Sequence, residues 1–156
     1  MSRNGNGCKP LLVGSATACV ATLRADGDGP SGGSQVLIGN VGDAGAMVAR
    51  GDTVVFSSPP QQHEFNCPYQ LGWRDFYPES DTAADAQAFT VEVERGDALI
   101  MGSDGLWDNV PAQEAAAVYA AQRAAGKDAQ EVAEAIATCA FEHSAGAYTP
   151  PLVSST

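Results

Sequence analysis

The chain has 156 residues, a length that suits one domain or part of one. Its formal net charge is −11, from 19 acidic and 8 basic residues. This balance argues against a surface for nucleic acid or for an anionic membrane, because phosphate binding requires clustered lysine and arginine. It agrees with a cation site, although a solvated acidic surface explains the charge equally well.

The cysteines Cys8, Cys19, Cys67 and Cys139 show no CxxC spacing. Scattered cysteines in a chain of this length do not indicate a disulfide framework, so we expect a reducing, intracellular compartment. Cys19 and Cys139 lie in apolar runs and are interpreted as small buried hydrophobes. No apolar run reaches the roughly 18 residues of a membrane span, and the first residues lack the pattern of a leader sequence.

The first residues, 1–13, are polar and rich in glycine, which predicts a disordered lead-in. Residues 16–23 and 35–41 are β-compatible apolar runs, and the glycine-rich stretch 26–34 separates them. These two runs are therefore predicted to pair as antiparallel strands.

Two further apolar runs, 46–50 and 53–57, enclose a Gly51-Asp52 turn, which predicts a tight hairpin. Because the turns between successive strands are short, the sequence predicts an antiparallel meander rather than a series of βαβ units.

Residues 58–88 are rich in proline and aromatic residues and follow no clear period. A segment of this length inside a compact domain is usually a functional flap or a poorly ordered insertion. His63 and Cys67 within it are four residues apart and could mimic a metal pair. A His/Cys site needs more than two ligands, so this is the less favoured interpretation.

The second half contains strands followed by helices. Residues 89–94 alternate and predict a half-exposed strand, whereas the apolar run 98–101 predicts a short buried strand. Pro111 precedes a predicted helix over residues 112–125 that ends at Gly126. A second predicted helix begins after Asp128, with Glu131 at capping-box spacing. Residues 149–156 are a tail, and the whole order predicts an α+β fold with two helices near the C-terminus.

The junction after residues 98–101 carries two carboxylates, Asp104 and Asp108. A strand that ends at an Asp-Gly corner can present a hard oxygen ligand to a divalent cation. The alternative is that Asp104 starts a turn and Asp108 caps a helix. These residues alone leave both interpretations open.

Residues 99–110, Leu-Ile-Met-Gly-Ser-Asp-Gly-Leu-Trp-Asp-Asn-Val, resemble a signature of the metal-dependent serine/threonine phosphatases, the type 2C or PPM family. Residues 38–45, Ile-Gly-Asn-Val-Gly-Asp-Ala-Gly, resemble that family's Ala-Asn-Val-Gly-Asp-Ser hairpin. Residues 14–18 resemble its Gly-Ser-Thr-Ala entry to a strand. Residues 61–71, Gln-Gln-His-Glu-Phe-Asn-Cys-Pro-Tyr-Gln-Leu, are similar to a segment of the branch that contains the T-cell-activation phosphatase homologue and several plant organellar phosphatases. The resemblance covers residues 14–148.

The resemblance implies a partial αββα sandwich with antiparallel sheets and a Mn²⁺ or Mg²⁺ site in the cleft between them. By residue, it implies that Asp104 is a direct metal ligand and that Asp108 and Asp43 line a weaker third metal position. The implied substrate is a protein carrying phosphoserine or phosphothreonine. A plastid or a mitochondrion is the location that the subgroup suggests.

Two departures from the family pattern bear on activity. The family's N-terminal Asp-Gly-x-Gly-Gly motif does not occur in its place, since the nearest candidate, at residues 28–33, follows the first strand. The family's C-terminal Asp-Asp/Asn-Ile/Met-Thr motif is also absent. We therefore expect a domain that is truncated at both ends and inactive on its own. The alternative to a phosphatase is a truncated, catalytically inactive phosphatase-like binding module or a non-functional fragment.

Overall fold

The computed structural model describes residues 14–24 and 33–146. The predicted lead-in over residues 1–13, the tail over 149–156 and residues 26–32 of the predicted loop lie outside this part of the chain. Its elements, in order, are β1 (Ser15–Ala16), β2 (Ala18–Arg24), β3 (Ser34–Val41), β4 (Gly45–Arg50), β5 (Thr53–Ser57), β6 (Gln62–Glu64), β7 (Cys67–Pro68), β8 (Leu71–Gly72), a 3-10 turn (Ala83–Asp85), β9 (Gln87–Val93), β10 (Ala98–Gly102), α1 (Asp104–Trp107), α2 (Ala112–Ala124) and α3 (Ala129–Ser144).

The longer strands form two antiparallel sheets of three strands each, ordered β2-β3-β9 and β10-β4-β5, and the short strands pair as β1-β8 and β6-β7. The predicted pairing of the first two long strands is confirmed, since β2 pairs with β3 from Ala18↔Val41 to Arg24↔Gln35. The hairpin at Gly51-Asp52 is also confirmed, with Arg50 opposite Thr53. The α+β class with antiparallel sheets is therefore correct.

The predicted continuous meander is wrong at one point, between β3 and β4. These strands lie in different sheets, so residues 42–44 carry the chain from one sheet to the other and do not close a hairpin around Asp43. The physical reason lies in β4, which is apolar on both faces. Because side chains alternate between the faces of a strand, β4 can bury all of them only between two layers.

The strand β4 is buried from Gly45 to Ala49. On one face, Ala46 and Val48 pack in a core with apolar residues of the β2-β3-β9 sheet, namely Val36, Ile38 and Val91. On the other face, Met47 and Ala49 pack against residues of and around the helices, namely Val110, Ala115, Ala116, Val132, Ile136 and Ala140. The layers are therefore sheet, sheet and helices, which is a partial αββα sandwich as predicted.

The two long helices begin and end where the sequence indicates. A capping box opens α3: Asp128 Oδ1 accepts from Glu131 N at 2.9 Å, and Glu131 Oε2 accepts from Asp128 N at 3.0 Å. Gly126 follows α2 with φ +78°, a conformation that glycine adopts without strain. No helix of residues 14–24 and 33–146 is long and apolar enough to cross a membrane.

The strand β10 is only half buried, which corrects the prediction of a short buried strand. Leu99 is 40% exposed and Met101 41%, whereas Ile100 packs against the helical core. Within the described residues β10 pairs with β4 alone, so it lies at the edge of its sheet. One of its faces is covered by the helices, and the sequence run alone does not distinguish this case from a central strand.

An ion pair joins β4 and β10 at one end of their ladder. Arg50 Nε donates to Asp97 Oδ1, and a second guanidinium nitrogen donates to Asp97 Oδ2, both at 2.8 Å. The Asp97 side chain is 5% exposed and also accepts from Glu94 N at 2.9 Å. The hydrogen bonds from Arg50 lower the pKa of Asp97 below its ordinary value. The ionised carboxylate therefore stabilises this end of the ladder.

Replacing Asp97 with asparagine is expected to lower the urea midpoint of unfolding at pH 7. Because the folded-state pKa of Asp97 is depressed, its stabilisation is complete above the unfolded pKa, roughly 3.9, and is lost as pH falls through the folded value. The difference between the wild-type chain and Asp97→Asn should therefore shrink on acidification to about pH 3. Glu79→Gln, at an exposed position, is the control, and equal midpoints of wild type and Asp97→Asn at pH 7 would contradict the prediction.

Candidate functional site

Asp43 lies at the corner where the chain passes from β3 to β4. It is half-buried, and the preceding Gly42 has φ +95°. A Cβ on Gly42 would lie 2.5 Å from both Thr17 Cγ2 and Tyr69 O. The fully buried Asn40 donates from Nδ2 to Gly42 O at 2.9 Å. Only glycine fits this combination of backbone angle and close contact, so the corner is tightly fixed.

The predicted flap, residues 58–88, is attached to the Asp43 corner through Gln61. Gln61 N donates to Gly42 O at 2.9 Å, and Gln61 Oε1 accepts from Gly42 N at 3.4 Å. The same side chain donates from Nε2 to Asp85 O at 2.8 Å, within the 3-10 turn. The segment that suggested the subgroup therefore begins with a residue that holds the flap against the corner.

Asp104 and Asp108 lie at a second corner, where β10 ends and α1 begins. Asp104 is the first residue of α1, and its Oδ1 accepts from Gly105 N at 2.7 Å. Asp108 N donates to Asp104 O at 2.8 Å, which closes one helical turn. Residues four apart on a helical turn share one face, and both side chains are exposed.

The pairing of β4 with β10 brings the two corners, with Asp43, Asp104 and Asp108, to the same end of the ladder, which we call the acidic edge. Gly45 lies opposite Gly102. Asp43 precedes Gly45 by two residues, and Asp104 follows Gly102 by two. Because the strands are antiparallel, both aspartates lie beyond the same end of the ladder.

The side chain of Trp107 stabilises the end of the β4-β10 ladder at which Gly45 pairs with Gly102. Its Nε1 donates to Gly102 O at 3.0 Å. A Cβ on Gly45 would lie 3.1 Å from the same Nε1 and 2.9 Å from Ser58 Oγ. Gly45 therefore leaves room for the indole, and the carbonyl oxygen of Gly102 holds it beside the acidic corners.

The three predicted metal residues share a region but not a closed ligand set. Among residues 14–24 and 33–146, one group of at least three His, Cys, Asp or Glu donors has its atoms within 4.8 Å of one another, and it is Glu114, Cys139 and His143. Asp43, Asp104 and Asp108 do not form such a group in this part of the chain. Their carboxylate oxygens are the donor type that Mn²⁺ and Mg²⁺ prefer, so the donor chemistry fits while the set is incomplete.

Neither His63 nor Cys67 belongs to a group of three metal-donor side chains among residues 14–24 and 33–146. His63 Nε2 lies 3.0 Å from Asp81 Oδ1, and its ring stacks on Tyr69 with centroids 3.8 Å apart. Cys67 is exposed in β7. Asp81 also accepts from Gln70 N at 2.8 Å, so this cluster organises the flap.

The sequence analysis does not bring Glu114, Cys139 and His143 together. It predicts that Cys139 is a small buried hydrophobe, whereas in the structure Cys139 is half-buried beside Glu114 and His143. Its spacing of four residues from His143 on α3 is a signal that sequence reasoning could have used. Glu114 lies on α2 and joins the pair only through the packing of the two helices.

A family model described as Protein phosphatase 2C matches residues 70–146. Over 147 residues the chain is 37% identical to "Probable protein phosphatase 2C 80" of Arabidopsis thaliana, covering 87% of this chain. The solved structure of the photosystem II phosphatase PBCP matches 85% of the chain with a TM-score of 0.71 and 37% identity. The chain belongs to the protein phosphatase 2C family.

The relatives of this phosphatase 2C chain come from plants and animals. The human "Protein phosphatase PTC7 homolog" is 37% identical over 109 residues, which cover 66% of this chain. The chain spans 33% of the length of the Arabidopsis and human relatives and 47% of the PBCP chain. Phosphatases of this family are metal-dependent, so the acidic edge agrees with the family's chemistry.

Replacing Gly42 with alanine should destabilise the corner more than the same change at Gly96. The two glycines have nearly equal positive φ values, +95° and +99°, but a Cβ at Gly96 meets nothing within 4 Å. Both variants carry the backbone strain, of order 1–3 kcal/mol, and only Gly42→Ala adds the clash under the flap. Urea unfolding measures the difference between the variants, and limited proteolysis should show faster cleavage within residues 58–88 in Gly42→Ala. Equal midpoints would mean that the close contact at Gly42 does not matter.

Proposed function

We propose that the protein is a metal-dependent phosphatase that hydrolyses phosphoserine and phosphothreonine in proteins, with Mn²⁺ or Mg²⁺ at the acidic edge. One observation carries the proposal: the register of Gly45 with Gly102 directs Asp43 and Asp104 to the same end of the β4-β10 ladder. Membership of the phosphatase 2C family supports the reaction class. The overall negative charge is no obstacle, because bound cations would face the phosphate group.

In this proposal Asp104 is a direct ligand of a core metal, and Asp108 and Asp43 line a third, weaker metal position. Asp104 suits the role because it follows a strand locked at both ends of its ladder, by Asp97 and by Trp107. Its Oδ1 is oriented by the hydrogen bond from Gly105 N. When bound, such metal ions activate water for attack on phosphorus and neutralise the phosphoryl oxygens.

The residues of this chain position the metal ligands and shape the approach to them. The Gly42 corner fixes the backbone next to Asp43, and Gln61 ties the flap to that corner. The flap therefore lies beside the acidic edge, where a peptide carrying the phosphate would have to enter. Asp43, Asp104 and Asp108 are the part of the ligand set that this proposal assigns.

The phosphatase proposal predicts a loss of activity in Asp104→Asn. The protein expressed from its complete gene should release phosphate from a phosphothreonine peptide when Mn²⁺ is present and stop when the metal is chelated. Loss of a direct ligand should reduce turnover by at least about 100-fold, since even the partners that orient metal ligands are worth 10–100-fold. Asp52→Asn is the matched control, because Asp52 is an exposed aspartate beyond the opposite end of the same strand β4.

Three results would count against the proposal: no Mn²⁺-dependent turnover, equal turnover of Asp104→Asn and wild type, or equal loss in Asp52→Asn. Binding of the phosphopeptide without turnover would favour the inactive binding module instead.

The location of the protein in a plastid or mitochondrion is a further part of the proposal. The PBCP chain that matches at 37% identity is a photosystem II phosphatase, which favours the plastid. A fluorescent fusion of the protein from its complete gene should therefore colocalise with plastids. Fluorescence spread through the cytosol, or confined to another organelle, would contradict the plastid location while leaving the phosphatase proposal intact.

A further inference from the structure

A second cluster of metal-ligating side chains lies between the two long helices. Glu114 belongs to the first turn of α2, and Cys139 and His143 lie one turn apart on α3. The side chains of His143 and Glu114 are 14% and 25% exposed, and Cys139 is half-buried. The cluster is therefore largely withdrawn from bulk water, although each side chain keeps some exposure.

The three donor atoms form a triangle with the dimensions of one face of a tetrahedral zinc site. His143 Nε2 lies 3.4 Å from Glu114 Oε1. Cys139 Sγ lies 3.7 Å from Glu114 Oε1 and 3.7 Å from His143 Nε2. Tetrahedral Zn²⁺, with bonds of about 2.3 Å to sulfur and 2.0–2.2 Å to nitrogen and oxygen, requires separations of roughly 3.4 Å between N and O and 3.6 Å to S.

The orientation of the His143 ring fits the same site. Its Nδ1 lies 2.5 Å from the carbonyl oxygen of Asn109, a hydrogen bond that places the proton on Nδ1. The opposite nitrogen, Nε2, then faces Glu114 and Cys139. Metal-ligating histidines are oriented in this way by a backbone carbonyl or a carboxylate on the other ring nitrogen.

We propose that Glu114, Cys139 and His143 bind one Zn²⁺ ion, with water in the fourth position. The donor set of one sulfur, one nitrogen and one oxygen suits Zn²⁺, whereas Mn²⁺ and Mg²⁺ prefer oxygen donors alone. Binding replaces the S–H bond of Cys139 with a Zn–S bond and releases the proton to water.

The zinc ion would cross-link elements that otherwise meet through apolar packing and hydrogen bonds. It would link α2 to α3 and, through His143 and the Asn109 carbonyl, both helices to the segment directly after Asp108. In the absence of metal, burial and the nearby Glu114 carboxylate raise the pKa of the Cys139 thiol. A bound cation would remove both penalties by neutralising the excess negative charge.

The alternative is a hydrogen-bonded cluster in which the Cys139 thiol donates to Glu114 and no metal binds. Titration of the reduced, metal-free chain with Co²⁺ separates the two cases, because a cysteine thiolate bound to Co²⁺ gives a charge-transfer band and tetrahedral Co²⁺ gives intense visible bands. We expect one Co²⁺ per chain with both features and displacement by one equivalent of Zn²⁺. Zn²⁺ should also raise the Tm.

Cys139→Ser and His143→Gln are the test variants, and Cys67→Ser is the control with an exposed cysteine in β7. Cys139→Ser should abolish the charge-transfer band, and each test variant should weaken Zn²⁺ binding by more than about tenfold. Cys67→Ser should behave as wild type. A charge-transfer band that survives in Cys139→Ser, or that disappears in Cys67→Ser, would overturn the proposal.

A measurement on the wild-type chain tests the zinc site even if the variants fail to fold. One equivalent of Zn²⁺ should protect Cys139 from alkylation by iodoacetamide, as read by mass spectrometry, and leave Cys67 reactive. Equal alkylation of Cys139 with and without Zn²⁺ would overturn the proposal, as would displacement of Zn²⁺ by millimolar Mn²⁺. Asp104→Asn should leave the thiolate charge-transfer band unchanged, so the zinc site and the phosphatase proposal can fail independently.

Discussion

The rest of the structure depends on the burial of β4 on both faces. Ala46 and Val48 fill the core between the two sheets, while Met47 and Ala49 fill the core beneath the helices. A strand that is apolar on both faces is buried only between two layers, and the sheet that contains β3 supplies one of those layers. The tight corner at Gly42 follows from this requirement, because the chain has only residues 42–44 to pass between the layers.

The acidic edge follows from the same strand. The ladder between β4 and β10 is fixed by the Arg50–Asp97 ion pair at one end and by Trp107 at the other. Its register directs Asp43 and Asp104 to one end, where neither belongs to a strand. Side chains placed just beyond rigid strands keep their position, and this constraint is what the proposed metal site would use.

Two kinds of potential metal-donor groups lie in different parts of the structure. Oxygen donors occupy the accessible corners of the sheet, and the mixed set of Glu114, Cys139 and His143 lies between the helices. The two regions are connected through the chain, because the carbonyl of Asn109 accepts from His143 and follows Asp108 directly. Hard and soft cations would therefore select different places by ligand type rather than compete for one.

The sequence by itself determined the local elements and the family. Apolar runs between turn residues indicated β2, β3 and β5, an alternating run indicated β9, and the capping box at Asp128 indicated the start of α3, because these signals depend on neighbouring residues alone. The sequence also singled out Asp104, whose role as a metal ligand stays a prediction. Only the tertiary structure decided that β4 leaves the sheet of β3, and that Glu114 meets Cys139 and His143. The sheet to which a strand belongs and the contacts between helices depend on which surfaces pack together. A short apolar run does not specify the strand or helix that packs against it.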